Sequence, residues 1–201
     1  MKKAVLFDLG KVLLDFDKDV ILDGFRRKTD MSEKEIRRGL KLYHELGFET
    51  GSSSPQEFYE RVNKELELKM TFEEFRDVWC DIFREISPML ELFHKIRTKY
   101  RTYILSNTDP LHFPYVLEKF PWLEMFDGRA LSYELGFHKP EREFFIKAME
   151  KFGLDPSECI YIDDLEENVL AARQVGIDSI QHTSLEETKA ALNDLEINID
   201  G

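Results

Sequence analysis

Val5-Leu6-Phe7-Asp8-Leu9-Gly10-Lys11-Val12 opens the chain with an apolar run that ends on a carboxylate and then meets a glycine. Such a run reads as a buried strand whose carboxyl end delivers Asp8 into a loop. A carboxylate placed there can be a salt-bridge partner, a turn residue or a reactive group. Three later stretches bear on the choice. Ser106-Asn107 follows Tyr103-Ile104-Leu105, Lys139-Pro140 precedes an amphipathic stretch, and Asp163-Asp164 follows Ile160-Tyr161-Ile162. In open α/β sheets ligands occupy the crevice outside the carboxyl ends of the strands, so these groups would converge on one pocket. A nucleophilic acid, a hydroxyl, a lysine and a second acidic pair are parts suited to moving a phosphoryl group with a divalent metal.

Composition narrows the field. A chain of 201 residues, 42% of them hydrophobic, can bury one core plus a small accessory unit. The net charge of −12 argues against nucleic acid, whose phosphates call for clustered Lys and Arg. Cys80 and Cys159 are too few for a disulfide framework, which predicts a cytoplasmic protein. The start Met1-Lys2-Lys3 resembles a signal peptide briefly, but Asp8 interrupts the apolar run early and no small-residue cleavage site follows. No apolar stretch approaches the length of a bilayer span, so no membrane association is expected. Nothing in the sequence speaks to oligomeric state.

Strand-like runs recur at residues 4–7, 102–105, 129–131, 159–162 and 179–180, with helical patterns between them. Met89, Leu92, Phe93 and Ile96 repeat at helical spacing behind Ser87-Pro88. Phe144, Phe145, Ala148, Met149 and Phe152 do the same before Gly153. Residues 165–175 run to Gly176, and Ser184-Leu185-Glu186-Glu187 reads as a capping box. This alternation predicts an α/β fold with a doubly wound, Rossmann-like parallel sheet.

Residues 16–87 break the alternation. Ser32 with Glu35, Ser54 with Glu57 and Thr71 with Glu74 each spell a capping box, and no strand-like run occurs there. Phe75, Val78, Trp79, Ile82, Phe83 and Ile86 form what reads as one continuous helical stripe, best explained by core packing. The expected organisation is therefore a core domain of residues 1–15 and 88–201 and an all-helical cap of residues 16–87, covering the Asp8 crevice.

Asp8 as a nucleophile would form an aspartyl-phosphate that water then cleaves. Asp8, Asp163 and Asp164 in one crevice repel one another, which points to a bound cation. Oxygen ligands without His or Cys at ligand spacing favour magnesium over zinc. The competing reading of Asp163-Asp164 is a helix N-cap. Ser106 can donate its hydroxyl to a phosphoryl oxygen with the Asn107 backbone N–H beside it, or the stretch is simply a turn. Lys139 is expected at the first turn of the following helix, where an anion would meet ammonium and dipole together, or else as a solvated lysine. His44 and His138 read as surface or loop residues. Glu49, in a loop ahead of a marked helix start, is placed to accept hydrogen bonds from substrate hydroxyls or to stay solvated.

The order of these motifs resembles the haloacid dehalogenase-like (HAD) hydrolase superfamily: Phe7-Asp8-Leu9-Gly10-Lys11-Val12, Leu105-Ser106-Asn107, Lys139-Pro140, then Ile162-Asp163-Asp164 with Asn168, Ala171-Ala172 and Gly176. Receiver domains use similar residues but place the acidic pair first. The resemblance spans nearly the whole chain and extends to the branch with a small helical cap. Within it, the Asp-Leu-Gly opening, the Ser-Asn-Thr turn and the Asp-Asp pair are similar to bacterial α-D-glucose-1-phosphate phosphatases. It implies a magnesium-dependent phosphatase of small phosphorylated metabolites, sugar phosphates such as glucose 1-phosphate. Asp8 would be the nucleophile, Ser106 and Asn107 would hold the phosphoryl group, and Lys139 would balance its charge. Asp8, the Gly10 carbonyl and Asp164 would hold magnesium, with Asp163 ligating or just behind.

One departure stands out. Most phosphatases of the superfamily carry a general acid–base Asp two residues after the nucleophile, where this chain has Gly10. Asp15, Asp17, His138 and a metal-bound water are the candidate replacements. Gly10 also keeps two other functions open. A dehalogenase releases halide without a proton, and a ligand-binding domain that has lost catalysis needs no donor.

Overall fold

The computed structural model describes residues 2–17 and 19–199. The chain runs through β1 (Ala4–Phe7) and β2 (Leu14–Phe16) into helices α1 (Asp19–Lys28), α2 (Glu33–Leu40) and α3 (Leu42–Glu45). A 3₁₀ turn at Phe48–Thr50 leads to α4 (Pro55–Leu66), α5 (Phe72–Cys80) and the short strand β3 (Phe83–Glu85). Then come α6 (Ser87–Ile96), β4 (Arg101–Ser106), α7 (His112–Lys119), β5 (Gly128–Leu131) and α8 (Ser132–Leu135). The chain closes with α9 (Arg142–Phe152), β6 (Cys159–Asp163), α10 (Glu166–Gln174), β7 (Asp178–Gln181) and α11 (Leu185–Asp194).

Five strands form one parallel sheet in the order β5-β4-β1-β6-β7. β1 is central and buried throughout, as an unbroken apolar run requires. Side chains alternate across the sheet. Val5, Phe7, Ile104, Ile160 and Ile162 join the cluster that takes in Met89, Phe93 and Leu192. Ala4, Leu6, Tyr103, Leu105 and Tyr161 pack with Phe144, Phe145 and Met149 on the opposite face. All five expected strands are present, each within one or two residues at its ends.

Between β1 and β4 a third cluster runs from Ile21 to Ile82 and takes Leu111 from the sheet side. Phe25, Phe48, Phe58, Phe75 and Trp79 are its largest members, with Phe48 and Phe58 stacked at 4.2 Å. The capping boxes at Ser32, Ser54 and Thr71 all form with both reciprocal bonds. At Ser184 only half forms. The Ser184 side chain accepts from the Glu187 N–H, but the Glu187 carboxylate bonds the Thr183 hydroxyl instead.

The continuous stripe from Phe75 to Ile86 is corrected by the structure. α5 stops at Cys80, and Phe83–Glu85 pairs antiparallel with Leu14–Phe16. Phe16 and Phe83 face each other with ring centroids 6.0 Å apart, and the Ile86 N–H donates to the Leu13 carbonyl. The apolar spacing suited a helix, but a strand partner distant in sequence offered cross-strand aromatic packing and won.

Candidate active site

Register places the groups. Phe7 pairs with Ile162 on one side and Ile104 on the other, so the next residues, Asp8, Asp163 and Leu105, come level at the sheet's carboxyl edge. The strand order reverses beside β1, which is where open sheets leave a crevice. Lys139 reaches the same point from the segment between α8 and α9. Its ammonium, almost completely buried, lies 2.7 Å from Asp8 Oδ1 and 2.8 Å from Asp163 Oδ2. It also bonds the Leu105 carbonyl at 3.0 Å and the Tyr161 hydroxyl at 2.9 Å.

That location corrects the expectation for Lys139. α9 begins at Arg142 behind Glu141, so Pro140 is not in its first turn and the ammonium does not sit at a helix N-terminus. Asn107 holds the lysine in place. Its side-chain oxygen accepts the Lys139 N–H at 2.7 Å, and its nitrogen donates to the Lys139 carbonyl at 2.8 Å. The Asn107 side chain is therefore spent on holding the Lys139 peptide. Ser106 is buried beside it. The Ser132 hydroxyl locks the next residue by accepting from the Thr108 N–H and donating to the Thr108 carbonyl.

The three carboxylates differ in electrostatics. Burial pushes Asp8 up to about 7; Lys139 opposes the shift and the charge of Asp163 adds to it. Burial would raise Asp163 too, but Lys139 and hydrogen bonds from Tyr161 and the Leu165 N–H hold it below the usual range. Asn168 adds bonds to both of its oxygens. Asp164 is half-buried and shifted upward by burial and by the charge of Asp163. Burial disfavours the Lys139 ammonium, but Asp8 and Asp163 together raise its pKa. The net effect is a cation clamped between two anions, with Asp163 as the fixed charge and Asp8 as the perturbed one.

Asp8, Asp163 and Asp164 each offer an oxygen, all within 4.8 Å of one another. The Asp164 carboxylate has no side-chain partner among the described residues, whereas the oxygens of Asp163 already serve four groups. An all-oxygen, doubly perturbed acidic set fits a hard divalent cation. The donor chemistry thus fits magnesium, with Asp164 the open ligand and Asp163 committed to Lys139.

A cavity of about 280 Å³ runs from Leu9, Gly10, Ser106 and Asn107 to the inner face of the helical insert, just under the 300 to 1,000 Å³ common for small-molecule pockets. Tyr43, Glu49 and Trp79 come from the insert. The Phe48–Thr50 turn that carries Glu49 is brought there by Gly51, whose φ of 74° and 2.2 Å separation of a built Cβ from the Tyr133 carbonyl leave no room for a side chain. Glu49 lies on the wall of this cavity.

The proposed proton donors fare differently. Asp15 is exposed, bonded to Lys11 at 2.5 Å and lowered by that bond. Asp17 accepts the Asp19 N–H, and His138 pairs with Glu141 at 2.7 Å. None of these three bonds Asp8 among the described residues. Tyr161 was missed altogether, although its position two residues before Asp163 puts both on one face of β6. Asp109 and His112 were missed too: Asp109 falls in the stretch that reads as a turn, and His112 opens α7, a helix that no cap or periodic pattern marked.

The haloacid dehalogenase-like hydrolase family model matches residues 2–176. D-ribitol-5-phosphate phosphatase from Bacteroides thetaiotaomicron is 29% identical over 192 residues, covering 90% of this chain and 92% of that protein. Glyceraldehyde 3-phosphate phosphatase from Methanopyrus kandleri is 24% identical over 90% of this chain and 84% of that one. A solved HAD family enzyme from B. thetaiotaomicron, in complex with magnesium and inorganic phosphate, matches with TM-score 0.79 and 28% identity, covering 90% of this chain and 94% of that one.

Proposed function

The chain belongs to the haloacid dehalogenase-like hydrolase family and is a phosphoric monoester hydrolase, and we propose that it is magnesium-dependent, acts on small sugar and polyol phosphates and forms an aspartyl-phosphate. The observation that carries this reading is the convergence of Asp8, Asp163 and Asp164 with the buried Lys139 at the carboxyl edge of the sheet. Relatives that act on ribitol 5-phosphate and glyceraldehyde 3-phosphate support the substrate class, and glucose 1-phosphate belongs in the same panel. A dehalogenase has no use for the cation that three crowded carboxylates call for. Residues 16–87 are read as the helical cap, closed off by the β2–β3 pair. Cys80 and Cys159 are buried free thiols, in keeping with a proposed cytoplasmic location; no helix of the described residues is long and apolar enough to cross a membrane.

In this mechanism Lys139 binds Oδ1 of Asp8, and the other carboxylate oxygen attacks phosphorus while the ester oxygen departs. Ser106 and the Asn107 N–H receive the phosphoryl oxygens, and water then cleaves the aspartyl-phosphate to regenerate Asp8 and release inorganic phosphate. Asp8, Asp164 and the Gly10 carbonyl would hold magnesium, with Asp163 behind them. When bound, it supplies the positive charge that lets a carboxylate approach a phosphate.

Phosphate release from a panel of sugar, polyol, acyl and aryl phosphates, with and without magnesium, tests the reading. Rates that survive strict metal removal would sink it. Within that panel Gly10 predicts a steep dependence on leaving-group acidity, because a placed general acid typically contributes about 10²- to 10⁴-fold. Aryl, acyl and anomeric phosphates should outrun phosphates of primary alcohols. Gly10→Asp should flatten the slope. Gly10 is not at positive φ, so the obstacle to a side chain is Phe16, whose ring lies 2.8 Å from a built Cβ. A wild-type enzyme indifferent to leaving-group acidity would mean that another group already donates the proton.

Glu49 supports a narrower expectation. Glu49→Ala should reorder the polyol and sugar phosphates by about tenfold in kcat/KM, the worth of one or two hydrogen bonds to hydroxyls. Acetyl phosphate, too small to reach the insert, should change less. A uniform loss across the panel, or none, would remove Glu49 from substrate contact.

A further inference from the structure

Directly after the Ser106–Thr108 loop, Asp109 and His112 form a buried pair that the hydrolytic mechanism does not use. Asp109 is fully buried, and His112 is only 9% exposed. Asp109 Oδ1 accepts the backbone N–H groups of Leu111 and His112, both at 2.8 Å. Asp109 Oδ2 lies 2.5 Å from His112 Nδ1. The other ring nitrogen, Nε2, lies 2.9 Å from the Trp79 carbonyl at the end of α5. A neutral imidazole donates from one nitrogen and accepts at the other. A carbonyl oxygen can only accept, so Nε2 must carry a proton. Asp109 already receives two backbone N–H groups on its far oxygen, the pattern of an ionised carboxylate. The carboxylate is the acceptor on that side as well, and Nδ1 must donate.

We infer that His112 is held as an imidazolium between the Asp109 carboxylate and the Trp79 carbonyl, and that this cation is a positioning residue that fixes the wall of the substrate cavity. The geometry joins two parts of the fold. Asp109 continues the loop proposed to receive phosphate, whereas Trp79 belongs to the helical insert. The Trp79 indole stacks on the His112 ring at 5.6 Å, and Phe83 meets it edge-on at 5.3 Å. Tyr43, from α3, lies close enough to Asp109 for the carboxylate's charge to raise its hydroxyl pKa. Tyr43, Trp79, Phe83 and His112 all line the cavity. Both ring nitrogens are occupied by these bonds, so His112 holds the wall and is not aimed at the leaving group.

Tyr43, Tyr133 and Cys80, which face the pair, keep their protons near neutral pH, and His44 meets Tyr43 edge-on at 5.0 Å on the wall of the same cavity. Burial, then the charges of Asp109 and Glu49, push the Tyr43 hydroxyl well above its usual value. Burial, then the Glu134 charge, pushes Tyr133 up to about 12. Burial also pushes the Cys80 thiol up, with Asp109 adding to the effect. The bridge itself depends on the second ring proton of His112. Once that proton is lost, one nitrogen faces an acceptor across a hydrogen-bond distance with nothing to donate, and the tie from loop to insert breaks.

Ring ¹⁵N–¹H spectra of the full-length, magnesium-loaded protein test this directly, with His112 assigned by its disappearance in His112→Gln. At pH 7.5, about one unit above the ordinary histidine value, both ring nitrogens of His112 should carry protons. A single protonated nitrogen at that pH would overturn the inference. Should His112→Gln fail to fold, contacts from the ring protons to the Trp79 indole give the same assignment in the wild type. Kinetics supply the second readout and rest on the phosphatase reading. The ratio of kcat/KM for ribitol 5-phosphate to that for acetyl phosphate should fall in the wild type as pH rises through the loss of the ring proton. In His112→Gln, one charge-assisted bond short, the ratio should already be down about tenfold at neutral pH and no longer follow pH. A ratio that tracks pH identically in both proteins would overturn the positioning role. If neither substrate releases phosphate, the phosphatase reading fails, while the spectra still decide the protonation of His112.

Discussion

Replacing Asp8 with Asn should abolish turnover, by about 10⁴-fold or more, while leaving a folded and more stable protein. The loss follows because an amide cannot become the covalent phosphoryl carrier, and removing a nucleophile removes the pathway rather than a fraction of its barrier. The gain in stability follows from burial. The folded state holds Asp8 at about 7 against an ordinary 3.8, so folding takes up a proton between those values. Wild-type stability without metal should therefore decline as pH rises from about 4 to about 7, and the Asn chain should lack that decline. A shift of this size sets an upper bound of roughly 4 kcal/mol above pH 7. The true gain is smaller, because Asn gives up its charge opposite Lys139. Denaturant melts across pH, without metal, measure the second effect and phosphate release the first. Residual turnover after removal of deamidated protein, or a parallel pH dependence in the two proteins, would contradict the assignment.

Lys139→Met should damage both stability and rate. Removing the ammonium leaves Asp8 and Asp163 facing each other without a cation, and breaking a buried ion pair from one side costs about 3–5 kcal/mol. Turnover should fall about 10²- to 10³-fold, the scale of losing one fixed donor aimed at developing charge. Magnesium should return part of the stability, because it neutralises the same carboxylates. Thermal melts with and without magnesium, together with kcat, read all three. A variant as stable as the wild type without metal would show that Lys139 is not the counter-charge of the pair.

The sheet and its reactive edge were legible from the sequence because they depend on short-range patterns. An unbroken apolar run that ends on a polar residue is buried on both faces and turns out into a loop, wherever its neighbours lie. Ala4–Phe7, Arg101–Ser106 and Cys159–Asp163 obey that rule, so Asp8, Ser106 and Asp163 were found at strand ends. Capping boxes are equally local, with donor and acceptor three residues apart, and those at Ser32, Ser54 and Thr71 form as written.

What the sequence could not decide were the choices made by partners distant in the chain. Phe83–Glu85 became a strand only because Leu14–Phe16, about seventy residues away, came alongside. The Lys139 ammonium went into the carboxylate cluster instead of to a helix end, because Asn107, 32 residues earlier, grips its peptide on both sides. Asp163 and Asp164 are neighbours of one residue type, yet one is saturated by Lys139, Tyr161, Leu165 and Asn168 while the other stays open. The Asp109–His112 pair draws its meaning from the Trp79 carbonyl, a backbone atom that no side-chain pattern could announce. Periodicity and caps report which groups a segment must bury and where it must stop. Which charge each buried group meets is settled by packing across the fold, where desolvation penalises every unpaired ion and selects the arrangement that pairs them.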